Sequence, residues 1–316
     1  MRIGKHIPEP IKNAILNVAR FPERTKWKIY HAAAMGTIPF PDKAFQKWDY
    51  KVHSGRKLSF RNPQTFCEKL QWLKYYYRNP AYTRLVDKYA VRDYVKEKIG
   101  EEYLVPIYGV YDSWEEIDFS KFPDRFVLKC THDSGSIVIC KDKATFDYEA
   151  AKEKIKFCMS RNQFYLSREW LYKNVKPRII CEKYLETDNN VGFTDYKYFC
   201  FDGIPKFMWI CSDRFSDEGL KENLFDMDGN ELPFGEKGVP KNPEIKAPAD
   251  AYKKMMELAK VLSFGMPHVR VDFFYTNEQI LFSELTFYNC GGRHLFEPEE
   301  YNKIIGDYLH LPQKMR

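Results

Sequence analysis

Residues His268–Gly292 read HVRVDFFYTNEQILFSELTFYNCGG. Val269, Val271, Phe273 and Tyr275 alternate with Arg270, Asp272 and Phe274, and a second apolar run, Ile280 to Tyr288, follows the polar TNEQ break. This pattern predicts a β-hairpin. A turn centred near Glu278 sets Asp272 opposite Glu284 and Arg270 opposite Thr286. Residues at i and i+2 share a face, and opposed Cβ atoms lie roughly 4.5–5.5 Å apart. One face of an oily hairpin therefore carries an arginine, two facing carboxylates and a threonine. Like charges set opposite each other destabilise a sheet, so something must compensate. A divalent cation held by hard oxygen ligands is one solution. An ion-pair network built on Arg270 is the other.

The 316 residues leave ample length for a buried core, and the 24 Phe, 22 Tyr and 6 Trp predict an ordered globular protein. The net charge of +6 is uneven, because residues 1–61 hold 13 Lys/Arg against only Glu9, Glu23, Asp42 and Asp49. Such a basic segment suits anionic lipid or an anionic polymer, or is simply a solvated surface. Ile11, Ile15, Leu16 and Ala19 recur there at helical spacing, as an interfacial or a core-packing helix would have them. The opening MRIGKHIPEP lacks a signal-like apolar stretch. The eight cysteines show no CxxC and sit mostly in apolar runs. Together these predict a cytoplasmic protein with free thiols. No zinc spacing, hydrolase triad motif or nucleic-acid signature is present, so no nucleic-acid partner is expected.

Along the chain, a helix is expected to open at Asn62-Pro63, and a single helix over residues 82–100 to end at Gly100. Ser113 and Glu116 have capping-box spacing. Strands are expected over 125–131, 136–140, 178–185, 195–203 and 205–214, with helices over 147–160 and 248–264. Residues 215–247 read as loop. A short helix closes the chain.

Lys129 stands in mid-strand, and His132, Asp133, Ser134, Gly135 and Ser136 follow at once. Backbone N–H groups of such a turn can cradle an anion that the lysine also meets. It is not a Walker loop, and an ordinary hairpin tip reads the same way. Glu182-Lys183-Tyr184-Leu185 ends another apolar strand. Asp195 and Lys197 share a strand face, and Arg214 follows the next strand. His132 and His294 lie in polar, glycine-containing loops.

The order FVLKC–THDSGS, CEKYL, DYKYFCFDG, VRVDFF…FSELTF resembles the ATP-grasp superfamily. The closest likeness is to its teichuronopeptide-biosynthesis-like (TupA-like) branch from bacterial surface-polysaccharide loci, running from about Asn62 to Pro312. The resemblance implies an α+β ATP-grasp fold: a basic helical segment (1–61), a helical linking part (62–120), a small subdomain with the phosphate loop (121–185) and a large subdomain with the metal hairpin (186–316). It implies ATP and Mg²⁺ as cofactors. Lys129 and the His132–Ser136 loop would meet phosphates, and Glu182 with the Lys183–Leu185 backbone would meet adenine. Asp195 would take the ribose, and Lys197 and Arg214 the phosphates. Asp272 and Glu284 would bind the metal, with Thr286 standing where the ligases usually place an asparagine, and Arg270 would stabilise the transferring phosphoryl group. The implied activity is carboxylate–amine ligation through an acyl phosphate. The expected partners are a carboxylated sugar or polysaccharide precursor and an amine or amino acid. A glycosyltransferase and a nucleotide-binding scaffold are the rival readings. Trp170, Tyr172, Arg293 and His294 flank the inferred site as acceptor candidates.

Overall fold

The computed structural model describes residues 22–186, 194–213 and 219–316. Two antiparallel sheets dominate it. The smaller has the order β1 (Ile107–Tyr111), β4 (Ile179–Lys183), β2 (Phe126–Cys130), β3 (Val138–Cys140). The larger runs β10 (Gln279–Thr286), β9 (His268–Thr276), β5 (Asp195–Phe201), β6 (Ile204–Ser212), β7 (Lys221–Phe225). A third, two-stranded ladder joins β8 (Gly235–Glu236) to β11 (Phe296–Glu297). The mixture of helices and antiparallel sheets is an α+β fold.

Strand parity sorts each sheet into an oily and a polar face. In the smaller sheet Phe126, Leu128, Cys130, Ile179 and Cys181 pack with Ile155 and Cys158 of the helix Tyr148–Met159. Asp147 caps that helix by accepting from the Ala150 N–H at 2.9 Å. The opposite face carries Lys129 and Glu182. In the larger sheet Tyr198, Val271 and Phe273 share a core with Tyr252, Met255, Ala259 and Leu262 of the helix Ala249–Leu262. Its other face carries Thr286 and Glu284, Arg270 and Asp272, and Lys197 and Asp195, in register across three strands.

Only part of that polar face is open. Phe66, at the start of the helix Phe66–Tyr76, meets Phe199 at a tilt and Phe201 and His268 edge to face, and covers its far end. That helix begins at Thr65 with a capping box: the hydroxyl accepts from Glu68 N–H at 3.4 Å, and Glu68 Oε2 accepts from Thr65 N–H at 3.0 Å. Val105, Phe274, Leu281 and Leu185 form a small core where the two sheets meet.

The hairpin register is as expected, for two offsetting reasons. The turn is Asn277–Glu278, both left-handed, which pairs Thr276 with Gln279 one step away from a turn centred on Glu278. A bulge at Ser283 then adds a residue, and Asp272 again faces Glu284 and Arg270 faces Thr286.

Three expectations are corrected. The single helix over 82–100 is two, Tyr82–Val86 and Val91–Lys98. Asp87 divides them: one carboxylate oxygen accepts from the Tyr89 and Ala90 N–H groups while the other takes Arg178 at 2.8 Å. Ser113 makes no side-chain cap; Glu116 instead accepts from the Asp112 N–H at 2.9 Å. Residues 215–247, expected as loop, contain β7 and β8.

Residues 22–61 add two helices, Glu23–Ala34 and Asp42–Ser54, around Tyr30, Ala33, Phe40 and Phe45. The Arg168 guanidinium lies 4.0 Å over the Phe45 ring. The helical pattern around Ile11–Ala19 and the phosphate candidate Arg214 lie outside the described residues. Among the described residues no helix is long and apolar enough to cross a membrane.

Candidate active site

The polar face of the larger sheet is an ion network centred on Asp272, whose side chain is 1% exposed. Arg270 grips both its oxygens, Nε to Oδ1 at 2.8 Å and Nη2 to Oδ2 at 2.7 Å. Lys197 donates to Oδ2 at 3.0 Å and stands 3.3 Å from Asp195. Burial alone would push the Asp272 pKa up, but the Arg270 and Lys197 cations outweigh it and hold the carboxyl below its ordinary value. Burial opposes the charge on Arg270 and Lys197 too, yet their carboxylate partners raise both above the ordinary range.

Glu284 belongs to this network more loosely. Its side chain is 39% exposed, with Oε1 accepting from the Thr286 hydroxyl at 2.9 Å and Arg270 Nη2 at 3.4 Å. Arg270 Nη2 also donates to Thr286 Oγ1 at 3.1 Å. The ion-pair network raised from the sequence is therefore formed. Magnesium fits the same residues: two carboxylates and a hydroxyl on adjacent register positions are hard oxygen donors, and Glu284 keeps a partly open carboxylate.

The smaller sheet presents Lys129, whose Nζ lies 2.6 Å from Glu182 Oε2 and 5.9 Å from the centre of the Phe274 ring. Phe274 shares a strand face with Arg270 and Asp272, so the two polar faces meet across a cleft. The loop after Lys129 is tied by its own side chains. Ser136 Oγ donates to Asp133 Oδ1 at 2.5 Å and accepts from the Cys130 N–H at 2.7 Å. Lys88 donates to the Asp133 carbonyl. The His132 ring is buried, with Nε2 3.1 Å from the Arg161 carbonyl, and burial pushes its pKa down. Ser134 and Gly135 are left exposed at the tip, and Gly135 is left-handed with open space where a Cβ would stand. Along 183–185 the Lys183 N–H donates to Pro106 O at 2.8 Å, the Tyr184 ring meets the Arg125 guanidinium, and Leu185 packs against the cluster of Val105, Phe274 and Leu281.

Two residues that sequence reasoning passed over shape this site. Asn289 accepts from Arg270 Nη1 through its side-chain oxygen. Lys74 is buried and donates to Ser167 O at 2.8 Å and Gly291 O at 2.7 Å; burial pushes its pKa down to about 8. Neither lies in a pattern that distinguishes it from its neighbours. Of the acceptor candidates, Trp170 donates to the Tyr288 hydroxyl at 3.1 Å. Burial raises the Tyr172 pKa, and the Glu169 and Glu284 carboxylates add to the shift. Arg293 instead pairs with Asp49 at 2.8 Å. His294 contacts Glu236.

The sequence matches the family model described as TupA-like ATP-grasp over residues 68–310. The chain belongs to the TupA-like ATP-grasp family. No curated protein matches it. Among solved structures, it is similar to the D-alanine–D-alanine ligase from Bacillus anthracis complexed with ATP at 16% identity and TM-score 0.36, over 65% of this chain and 54% of that one. A D-alanine–D-alanine ligase from Helicobacter pylori is similar at 12% identity and TM-score 0.42, over 77% and 68%. The ATP-grasp ligase PsnB, complexed with a phosphomimetic variant of its minimal precursor, Mg and ADP, is similar at 12% identity and TM-score 0.41, over 77% and 64%. The chain thus spans about half the length of the first of these ligases.

Proposed function

We propose that this TupA-like ATP-grasp protein is an ADP-forming carboxylate–amine ligase acting through an acyl phosphate. One observation carries the reading: Arg270, Lys197, Asp272 and the partly exposed Glu284 share one sheet face opposite Lys129 and Glu182. Cations for a polyphosphate thus meet hard-oxygen donors for its metal in one cleft. In this reading Lys129 and the Ser134–Gly135 tip meet phosphates, Glu182 and the chain through Leu185 meet the base, and Asp195 meets the ribose. Asp272, Glu284 and Thr286 would hold Mg²⁺, which supplies charge neutralisation on phosphate oxygens.

A substrate carboxylate oxygen attacks the γ-phosphorus of ATP, and the bond to the bridging oxygen breaks with its electron pair leaving on ADP. Arg270 and Lys197 stabilise the charge that develops on the transferring group. The amine then attacks the acyl carbon, phosphate departs, and the nitrogen loses a proton. No nucleophilic side chain is required.

The acceptor in this proposal is a uronic-acid-type sugar, joined to an amine or amino acid during assembly of a bacterial capsule or cell-wall polysaccharide. Its support is the surface-polysaccharide family likeness, and the hydrogen-bonded pair Trp170–Tyr288 offers aromatic side chains of the kind that pack on sugars. A cytoplasmic location, with residues 1–61 meeting the membrane or an anionic polymer, completes the reading. Incubation with ATP, Mg²⁺, uronic acids and a panel of amines should give ADP, phosphate and an amide mass. The absence of turnover, with thermal stabilisation by a sugar nucleotide but not by ATP, would replace ligation with glycosyl transfer.

A further inference from the structure

We propose that Glu236, Cys290 and His294 form a binding site for a zinc-type transition-metal ion, separate from Asp272 and Glu284. The three side chains reach one point from two parts of the chain. Glu236 ends β8, and its ladder partner Phe296 stands two residues after His294. Cys290 lies in the 3-10 turn Asn289–Gly292. One donor atom from each residue lies within 4.8 Å of the others. The carboxylate already stands between its two neighbours: Oε1 contacts His294 Nδ1, and Oε2 accepts from the Cys290 thiol at 3.9 Å.

Thiolate, imidazole and carboxylate are the ligand types that select zinc, whereas magnesium takes oxygen. Bonds of about 2.3 Å to sulfur and ~2.0 Å to nitrogen and oxygen put tetrahedral donors roughly 3.3–3.7 Å apart. Small side-chain rotations close the observed cluster onto an ion. Three protein ligands leave a fourth position for water or a substrate group.

Two further observations bear on an ion here. Glu236 has only 8% of its side chain exposed, and among the described residues no lysine or arginine forms an ion pair with it. Its ion-pair partner is the His294 imidazole, charged only when protonated, and a divalent ion would supply the compensating charge that a buried carboxylate needs. Cys290 is also left-handed, at φ 47, an uncommon conformation for a residue with a Cβ. Buried donors hold that turn from outside. Gln71 donates to Gly291 O at 3.1 Å and Gly292 O at 2.8 Å, Lys74 donates to Gly291 O, and the Cys67 thiol donates to His294 O at 2.6 Å. Thiol and imidazole are thereby presented on a preset backbone. Binding releases the Cys290 thiol proton to solvent. Because Asn289 accepts from Arg270, the same ion would fix the turn that positions that arginine.

The test uses the full chain, stripped with a chelator and titrated with Zn²⁺ against a chromophoric competitor in excess Mg²⁺, and separately with Co²⁺. The wild type should bind one zinc per chain and give a near-ultraviolet thiolate-to-cobalt band. Cys290→Ser should abolish the band, and both Cys290→Ser and His294→Gln should weaken zinc by ~100-fold. Glu284→Gln should bind zinc as the wild type does. His294 is half exposed, so His294→Gln decides the matter should Cys290→Ser not fold. Failure of the wild type to bind stoichiometric zinc would overturn the site. So would unchanged zinc affinity in His294→Gln, or loss of zinc in Glu284→Gln with retention in Cys290→Ser. Ligase turnover is not a readout here, so this test can fail while the ligase reading stands.

Discussion

Arg270 holds both oxygens of Asp272, two residues along the same strand, and Lys197 meets one of those oxygens from the neighbouring strand. Asp272 is thus the buried anion on which two cations depend. Replacing it by Asn leaves both cations short of a counter-charge, and Asp272→Asn should cost about 3–5 kcal/mol of stability at neutral pH. Urea unfolding of the metal-free protein measures this.

The same pair sets an acid limit. Because the folded-state pKa of Asp272 is depressed, its stabilisation is present above the ordinary carboxylate value of 3.8 and is lost as pH falls through the folded value. The melting temperature of metal-free wild type should fall below about pH 4 more steeply than that of Asp272→Asn. Parallel acid limbs would contradict this.

Lys129 and Glu182 pair at 2.6 Å across the cleft side of the smaller sheet. If they meet phosphate and base, Lys129→Met should weaken a non-hydrolysable ATP analogue by ~10–100-fold, the scale of a charge-assisted hydrogen bond. Glu182→Gln should weaken ATP more than GTP. Calorimetric titration reads both.

Glu284 is the partly exposed carboxylate of the metal set. Glu284→Gln should remove most of the Mg²⁺ dependence of analogue binding while leaving metal-free binding near wild type. Equal Mg²⁺ dependence in the two proteins would move the metal elsewhere.

Asn289 acts through Arg270 and belongs to no described backbone pairing of the sheet. Asn289→Ala should lower kcat by about tenfold to a hundredfold with little change in nucleotide affinity, since it loosens the group that stabilises transferring charge. Asn289→Gln or →Asp should recover part of the rate. A purely structural role would instead appear as a lower melting temperature with kcat intact.

How much of this was legible depended on where the side chains point. The polar face of the hairpin His268–Thr286 followed from period-two alternation, because one oily face must be buried. The register at Asp272–Glu284 came out right although the turn was misplaced, since the Ser283 bulge offsets the two-residue turn. The strand Lys221–Phe225 was missed because it opens with Lys, Glu and Asn, which read as solvated. In the fold Glu222 and Asn223 are buried, and Asn223 accepts from the Asn242 N–H at 3.0 Å. Long-range partners of that kind leave no local signal. Asp87 shows the same limit: a helix pattern continues through it, and its ion pair with Arg178 lies far along the chain. Asn289 and the Glu236–Cys290–His294 cluster likewise exist only once the turn Asn289–Gly292 is folded back onto the sheet.

The most direct test of acyl-phosphate ligation follows oxygen through the reaction. With a uronic acid labelled with oxygen-18 in its carboxylate, ATP, Mg²⁺ and a productive amine, the released phosphate should carry one labelled oxygen for each amide formed. Unlabelled phosphate alongside amide would contradict the mechanism proposed for this cleft.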